Sequence, residues 1–395
     1  MKRRYKDRTT IVHAGRHPER YGGVVNPPVM HASTILFKTV AEFWDKERAH
    51  AAGERAFLYG RYGTSSQDSL AEAICALEDG YKTVLCPSGL AACATALMSC
   101  VKAGDHILIC DSAYGPTRRV GMRLLKRFGV ETEFYDPLIG AGVDKLFRAN
   151  TSAIVVEAPG SLTFEMQDIP AIAAAARKRG VLSIMDNTWA TPLYFKPLAH
   201  GVDLSVQAAT KYIVGHADAM LGSVTATREA YAKLSETHAD LGMHLAPDDA
   251  YLGHRGLRTL AVRLKQHWES GLALAEWVAR QPEVERVLHP ALPGDPGHAI
   301  WKRDFSGASG LFSVVLKPVS EKAFAALIDG LELYGIGQSW GGYESLVMPF
   351  DPRGVRSVTR WPYAGPGFRI HAGLEAIEDL IADLEAGFSR LRASL

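Results

Sequence analysis

Short apolar runs alternate with helical segments over residues 69–227, and this alternation constrains the fold more than any other feature of the sequence. Each run has the length of a buried strand, and about 10–15 residues of helical pattern separate one run from the next. Strands separated in this way predict right-handed βαβ crossovers and a mostly parallel sheet with helices on both faces. The predicted strands are residues 83–86, 106–110, 130–134, 153–157, 181–186 and 203–207.

The pattern differs on either side of this segment, which predicts two further parts of the chain. The first sixty residues contain paired glycines and Asn26-Pro27-Pro28 with little periodicity, as expected for an extended arm that lies on another surface. After residue 249 come a long amphipathic helix through Val278, a strand at 310–316 and a closing helix with an apolar face from Leu374 to Leu391. We therefore expect an N-terminal arm (1–62), an α/β domain (63–250) and a smaller C-terminal α/β domain (251–395).

Composition argues against several classes of function. The 395 residues carry 44 basic and 43 acidic side chains, so the net charge of +1 provides no field for binding nucleic acid or an anionic membrane. No run approaches the roughly 18 apolar residues of a spanning helix, and no apolar segment follows the basic first residues as a secretion signal requires. The five cysteines lack a C-x-x-C pair and lie in apolar stretches, which indicates reduced thiols in a cytoplasmic protein.

Polar residues follow four of the predicted strands, where ligands bind in open α/β sheets. The 83–86 run leads through Ser88-Gly89-Leu90 into a helix whose free N–H groups suit a phosphate. The other three runs lead to Tyr114, Asp186 and Lys211. Each feature alone has a common structural explanation, such as a helix cap or a solvated lysine. Together they supply what pyridoxal 5'-phosphate (PLP) needs, namely an amine, an acid for the pyridine nitrogen, a stacking ring and phosphate donors.

Long stretches of the chain also resemble one enzyme family, the Cys/Met-metabolism class of PLP-dependent enzymes, with the greatest likeness to bacterial cystathionine β-lyases. The resemblance implies a fold-type I PLP enzyme that converts L-cystathionine to homocysteine, pyruvate and ammonia. The stretches that carry it are NPPVMHAST (26–34), DPLIGA (136–141), VVEAPGS (155–161), MDNTWA (185–190), VQAATKYIVGHADAM (206–220), GLRTLAVRLKQH (256–267), HPALPG (289–294), WKRDFSGASGLFS (301–313), SWGGYESL (339–346) and RIHAGLE (369–375).

The resemblance assigns a role to each candidate site residue. Lys211 would attach the cofactor and move protons, and Asp186 would pair with the pyridine nitrogen. Tyr114 would stack on the ring, contact substrate and act as a second catalytic residue that helps to move the substrate amine proton. Arg369 would bind the substrate α-carboxylate in a bidentate manner, assisted by Ser339 and Trp340. The expected phosphate ligands are Gly89, Leu90 and Thr210 from the same chain, and Tyr59 and Arg61 from the arm of a neighbouring subunit. Tyr59 would also contact substrate.

This arrangement requires a homo-oligomer, and the resemblance implies a tetramer built as a dimer of dimers. The expected partner is a small amino-acid thioether, with no nucleic acid and no membrane. No metal site is expected, because Gly15 and Pro18 discourage the helix that a zinc pair formed by His13 and His17 would need.

Three positions depart from the family pattern. Ala208 stands where the wider family often has a phosphate-binding Ser, although the best-known β-lyases share the Ala. Tyr62 replaces an Arg and Gln338 replaces a Tyr, both near the expected pocket for the distal part of the substrate. A γ-lyase, a γ-synthase, a cysteine or cystine carbon–sulfur lyase, and a catalytically inactive scaffold therefore remain as alternatives.

Overall fold

The computed structural model describes residues 5–54 and 56–395, and a seven-stranded sheet lies at the centre of its larger part. The strand order is β1-β7-β6-β5-β4-β2-β3; β2 to β6 pair in parallel, whereas β7 is antiparallel to β1 and β6. The mostly parallel α/β sheet predicted from the sequence is confirmed. The sequence reading missed β7, whose residues GSVTA carry little apolar signal. The strands are β1 (Lys82–Cys86), β2 (His106–Cys110), β3 (Glu131–Tyr135), β4 (Thr151–Glu157), β5 (Leu182–Asp186), β6 (Leu204–Gln207) and β7 (Gly222–Ala226).

Helices cover both faces of this sheet, which is why β2 and β6 are buried along their whole length. The helices are α1 (Asp7–His13), α2 (Val40–Ala51), α3 (Ser65–Glu78), α4 (Gly89–Met98), α5 (Gly115–Arg119), α6 (Ile169–Lys178), α7 (Thr191–Tyr194), α8 (Arg228–Asp240), α9 (Pro247–Val278), α10 (His298–Asp304), α11 (Glu321–Ile328) and α12 (Ile377–Ala393). Short 3₁₀ segments occupy Pro18–Tyr21, Gly60–Tyr62, Gly140–Leu146 and Pro197–His200, and a π-helical turn spans Val120–Leu125.

A second, smaller sheet forms the C-terminal part of the chain, in the order β10-β11-β12-β9-β8. Its core includes Phe312 and Phe368 together with apolar residues of α12. The predicted closing helix is confirmed, but Leu374 precedes it: the helix begins at Ile377. The strands are β8 (Val284–Leu288), β9 (Leu311–Leu316), β10 (Gly335–Ile336), β11 (Leu346–Phe350) and β12 (Gly367–His371).

Helix α9 belongs to both parts of the molecule. Its first half packs Leu257, Leu260 and Leu264 with residues of α3 and of the segment after β6, whereas Leu274 and Val278 pack in the core of the second sheet. The expected domain boundary at residue 250 falls in the first turn of this helix. The division into domains therefore stays a prediction.

The N-terminal segment is less extended than the sequence pattern indicates, because it contains α1 and α2. Helix α2 buries none of its residues, and the neighbouring Leu36 has 89% of its surface exposed. The two histidines that the sequence argues against as a zinc pair do not share a helix: His13 ends α1, and His17 follows it and contacts Glu72 at 2.9 Å. All five cysteines are free thiols, and no helix among the described residues is long and apolar enough to cross a membrane.

Candidate functional site

The carboxyl ends of the parallel strands bring most of the predicted site residues to one edge of the large sheet. Asp186 is the last residue of β5, and Lys211 follows β6 after a short turn. Tyr114 comes four residues after β2, and Gly89 begins α4 directly after β1. Neighbouring parallel strands end at the same edge, so residues far apart in sequence meet here.

Lys211 lies between the two sheets of the molecule. Its Nζ donates a hydrogen bond to Ser339 Oγ at 2.5 Å and lies 5.6 Å from the centre of the Trp340 ring. Burial, together with the nearby Arg369 guanidinium, lowers the pKa of Lys211 to about 8, although the charge of Asp186 opposes this shift. A lowered pKa leaves a larger fraction of the amine neutral near neutral pH, and only the neutral amine is a nucleophile or a base.

One carboxylate oxygen of Asp186 accepts two strong hydrogen bonds, whereas the other contacts only a weak donor in the described part of the chain. Its Oδ1 accepts hydrogen bonds from the Thr188 N–H at 3.0 Å and the Thr188 hydroxyl at 2.5 Å. Its Oδ2 has the weak thiol donor of Cys93 at 3.8 Å. Burial raises the pKa of Asp186 despite these hydrogen bonds. The carboxyl group is therefore positioned for a further donor on its Oδ2 side.

The amino end of α4 forms a close cradle against the turn that precedes Lys211. A Cβ atom on Gly89 would lie 2.4 Å from the Cβ of Ala208, so only glycine fits there. Ser88 caps the helix by accepting the Ala91 N–H at 3.1 Å. The free N–H groups of the first turn can receive a phosphate, and Leu90 belongs to this turn. Thr210 lies nearby in sequence, but its hydroxyl is bonded to the Leu221 backbone.

Arg369 reaches the same site from the smaller sheet. Its Nη2 donates to the Ser339 carbonyl at 3.1 Å, and burial lowers its pKa to about 10, which still leaves it charged at neutral pH. Ser339 has a φ of +78°, an uncommon conformation for a non-glycine residue. The loop that carries it lies against the lysine backbone, because a Cβ on Gly341 would lie 2.9 Å from the carbonyl carbon of Lys211.

Tyr114 has 45% of its surface exposed, and its backbone N–H donates to Glu157 Oε2 at 2.7 Å. Burial raises the pKa of the Tyr114 phenol, and the charge of Asp186 raises it further. Sequence reasoning missed Glu157 as a residue of this site. The available signal was its position at the end of β4, in register with Asp186 at the end of β5. Sequence reasoning also missed Thr188, which holds Asp186.

Two predicted residues do not join this cluster within the chain. Arg61 donates to the Ala239 carbonyl at 3.2 Å and to the Tyr62 hydroxyl at 2.9 Å. Tyr59 pairs with Thr34 through an isolated β-bridge and has 44% of its surface exposed. Their predicted roles, which concern a neighbouring subunit, stay predictions.

The residues gathered at the sheet edge fit PLP. A lysine of lowered pKa, a carboxyl group open on one oxygen and a glycine cradle at a helix start match the aldehyde, ring nitrogen and phosphate of that molecule. The Arg369 guanidinium adds a partner for a carboxylate.

Comparisons with known proteins agree with this chemistry. The chain is 50% identical to a putative cystathionine β-lyase of Rhizobium johnstonii, over 98% of this chain and 96% of that one. It is 44% identical to the cystathionine β-lyase of Escherichia coli, over 97% and 98%. It is also 40% identical to an L-alanine/L-glutamate racemase of Wolbachia pipientis, over 98% of each chain.

Solved structures give the same result for the fold. A cystathionine γ-synthase from Xanthomonas oryzae, crystallised with cystathionine, superposes with a TM-score of 0.90 at 31% identity, covering 99% of this chain and 100% of that one. The family model for Cys/Met metabolism PLP-dependent enzymes matches residues 8–389. The predicted fold, cofactor and family are confirmed: the chain belongs to the Cys/Met metabolism family of PLP-dependent enzymes.

Proposed function

We propose that the protein is a PLP-dependent carbon–sulfur lyase that cleaves L-cystathionine to homocysteine, pyruvate and ammonia. The observation that carries the proposal is the position of the Lys211 amine, which lies against Ser339 with its pKa lowered to about 8. An amine in this position can both hold the cofactor and move a proton. Full-length relatives named as cystathionine β-lyases support the choice of reaction.

Lys211 is the proposed general base. PLP, when bound, supplies the electron sink that makes the Cα proton of an amino acid acidic. Lys211 would hold the cofactor until substrate arrives, and its freed neutral amine would then remove the Cα proton. Its contact with Ser339 orients the Nζ toward the loop of the smaller sheet.

Asp186 would position the cofactor, and Arg369 would position the substrate. Asp186 would hold a proton at the cofactor's ring nitrogen through its open Oδ2, while Thr188 keeps its other oxygen in place. Arg369 would bind the substrate α-carboxylate, with Ser339 and the Trp340 backbone beside it. Tyr114, anchored by Glu157, would place its ring over the cofactor. Gly89, Leu90 and Thr210 would hold the phosphate.

Product analysis tests the reaction. With L-cystathionine we expect equimolar pyruvate and homocysteine. 2-Oxobutyrate would instead identify a γ-lyase. The γ-synthase alternative would be identified by cystathionine formed from cysteine and an O-acylated homoserine, with release of the acid. A D-amino acid formed from L-alanine or L-glutamate without any keto acid would identify a racemase, as the Wolbachia relative is named. Each of these three results would refute the proposed reaction.

We also propose that the arm completes the site of a second subunit in a homotetramer. Exposed apolar side chains between residues 24 and 62 support this. In the described part of the chain, Leu36, Val40 and Trp44 are 89%, 73% and 53% exposed. Tyr59 and Arg61 lie on this segment and would bind the phosphate of the neighbour's cofactor. The reduced cysteines fit a cytoplasmic enzyme, and we retain the proposed division at residues 62 and 250.

Subunit mixing tests the shared site. Lys211→Ala and Arg61→Ala subunits should each be inactive alone, and hybrids formed after reversible dissociation should regain activity through one intact composite site. Failure of verified hybrids to regain activity, or an active monomer, would refute the shared site and leave the lyase proposal standing.

A further inference from the structure

The connection between β11 and β12, residues 351–366, is much longer than an antiparallel pair requires. Hairpin connections commonly have about 2–5 residues, and long loops in compact proteins usually have a function. We call this connection the strap. It ends three residues before Arg369, the residue proposed to bind the substrate carboxylate.

The middle of the strap is attached to the large sheet and not to the small sheet that it connects. The backbone N–H groups of Ser357, Val358 and Thr359 all donate to the carboxylate of Asp111, at 2.8 to 3.1 Å. The Thr359 hydroxyl donates to the same carboxylate at 2.8 Å. Four donors from three consecutive residues therefore converge on one side chain of the large sheet.

Asp111 is a buried, ion-paired carboxylate that accepts these hydrogen bonds from the strap. Only 2% of its surface is exposed, and Arg118, which is 3% exposed, donates to Asp111 Oδ1 at 2.9 Å. Arg118 also donates to Ser357 Oγ at 2.7 Å, so both buried charges contact the strap. Burial alone would raise the pKa of Asp111, but the strap N–H groups outweigh it and lower the pKa. The carboxylate is thus ionised where it receives the strap.

A second attachment lies one residue away. Arg356 donates to Glu165 Oε1 at 2.7 Å and also contacts the Thr163 hydroxyl, and both partners precede α6 of the large sheet. On the other side, the two ends of the strap border a cavity of about 340 Å³ next to Phe324 of α11 and Phe350 of β11. The strap is therefore supported mainly from the large sheet.

The contact between Asp111 and the strap links two parts of the proposed site. Asp111 is three residues before Tyr114, whose ring is proposed to lie over the cofactor. The C-terminal end of the strap runs directly into β12, the strand that holds Arg369. We propose that Asp111 is a positioning residue: by holding the strap, it fixes Arg369 relative to Lys211 and so sets the affinity for the α-carboxylate of the substrate. The proposal rests on the proposed function only for the role of Arg369.

Release of the strap can be measured by proteolysis of the holoenzyme. Trypsin can cut the strap after Arg353, Arg356 or Arg360, and cleavage through an opened state follows the population of that state. Thr359→Val keeps the shape but removes the hydroxyl that donates to Asp111 at 2.8 Å and accepts from Arg356 at 3.5 Å. These cuts should therefore become about tenfold faster. Val355→Thr is the matched control, since it makes the reverse exchange at an exposed strap residue with no bond to Asp111. It should be cut at the wild-type rate.

Substrate affinity provides the second readout. The double variant Arg356→Gln/Thr359→Val should raise KM about tenfold, with kcat within about twofold and the visible absorbance of bound PLP unchanged. Glycine shares the α-carboxylate but has no thioether, so its dissociation constant, read from the cofactor absorbance, should rise equally. This titration still tests the strap if the lyase reaction proves wrong.

Two outcomes would overturn the proposal, one in the proteolysis experiment and one in the glycine titration. Equal cleavage of Thr359→Val and Val355→Thr would show that the Asp111 attachment does not hold the strap. A double variant with wild-type glycine affinity would show that the strap does not position Arg369. Both experiments use substitutions on the strap, so neither depends on the folding of a variant at the buried Asp111.

Discussion

The ionisation of Glu78 makes the stability of the protein depend on pH, and this dependence tests the electrostatics of the region next to the site. Glu78 is the last residue of α3, is fully buried, and lies against β6, the strand that leads to Lys211. Ser205 Oγ donates to its Oε1 at 2.8 Å, whereas Oε2 has no hydrogen-bond partner among the residues that the structure describes. Burial raises the pKa of Glu78 from 4.5 to about 7, although Ser205 and Lys196 oppose the shift.

The sign and size of the effect on stability follow from this shift. Between pH 4.5 and about 7 the folded protein binds a proton at Glu78 that the unfolded chain has released. The free energy of unfolding therefore falls as pH rises through this window and stays lower above it. A shift of about 2.5 pKa units corresponds to roughly 3 kcal/mol, most of which develops between pH 5 and pH 8.

Glu78→Gln removes the titration and keeps the shape. Its oxygen can still accept from Ser205, and its amide cannot ionise. At roughly 2 cal/mol/K per residue, the unfolding entropy of this chain converts 3 kcal/mol to about 4 °C in melting temperature. Relative to the variant, the wild-type holoenzyme should lose about that much between pH 5 and pH 8, at fixed protomer concentration. The exposed Glu276→Gln is the control and should melt like the wild type. Melting curves of wild type and Glu78→Gln that shift in parallel with pH would refute the reasoning.

Three further predictions concern the site itself. Asp186→Asn should still bind PLP but lose several orders of magnitude in turnover, because an amide cannot hold the ring nitrogen protonated; near-normal turnover would require another acid. In cofactor-free protein, the rate of PLP incorporation should rise with pH around a midpoint of about 8, since the pKa of Lys211 is lowered and the neutral amine reacts; a midpoint near the usual 10.5 would contradict the burial of this lysine. Gly89→Ala should weaken PLP binding at least about tenfold in a titration, because its Cβ would lie 2.4 Å from Ala208 Cβ. Gly294→Ala is the control and should bind PLP like the wild type, because no atom of a described residue lies within 4 Å of its Cβ.

The strand ends of the large sheet could be located from the sequence because each strand is a short buried run followed by polar residues. Asp186 and Lys211 were found in this way, and parallel pairing brings them to one edge. The antiparallel β7 was missed because its residues are small and partly polar, and its burial comes from neighbours that a local pattern does not reveal.

Residues that act through tertiary contacts were beyond sequence reasoning. Glu157 serves the site by holding the backbone of Tyr114, which lies 43 residues away in sequence. Asp111 receives N–H groups 246 to 248 residues away. No local periodicity encodes such pairings. The roles of Arg369 and Arg61 came from the resemblance alone, since the residues around them have no pattern that points to carboxylate or phosphate binding.

The release of pyruvate from L-cystathionine by the Lys211→Ala holoenzyme tests the central claim most directly. Lys211 is assigned as cofactor anchor and base together, and no second lysine among residues 5–54 and 56–395 is assigned to the site. The variant should lose at least about a thousandfold in rate. Lys265→Ala, which removes an exposed lysine paired with Glu269 on α9, should retain wild-type activity. A Lys211→Ala enzyme that releases pyruvate within about tenfold of the wild-type rate would contradict the account.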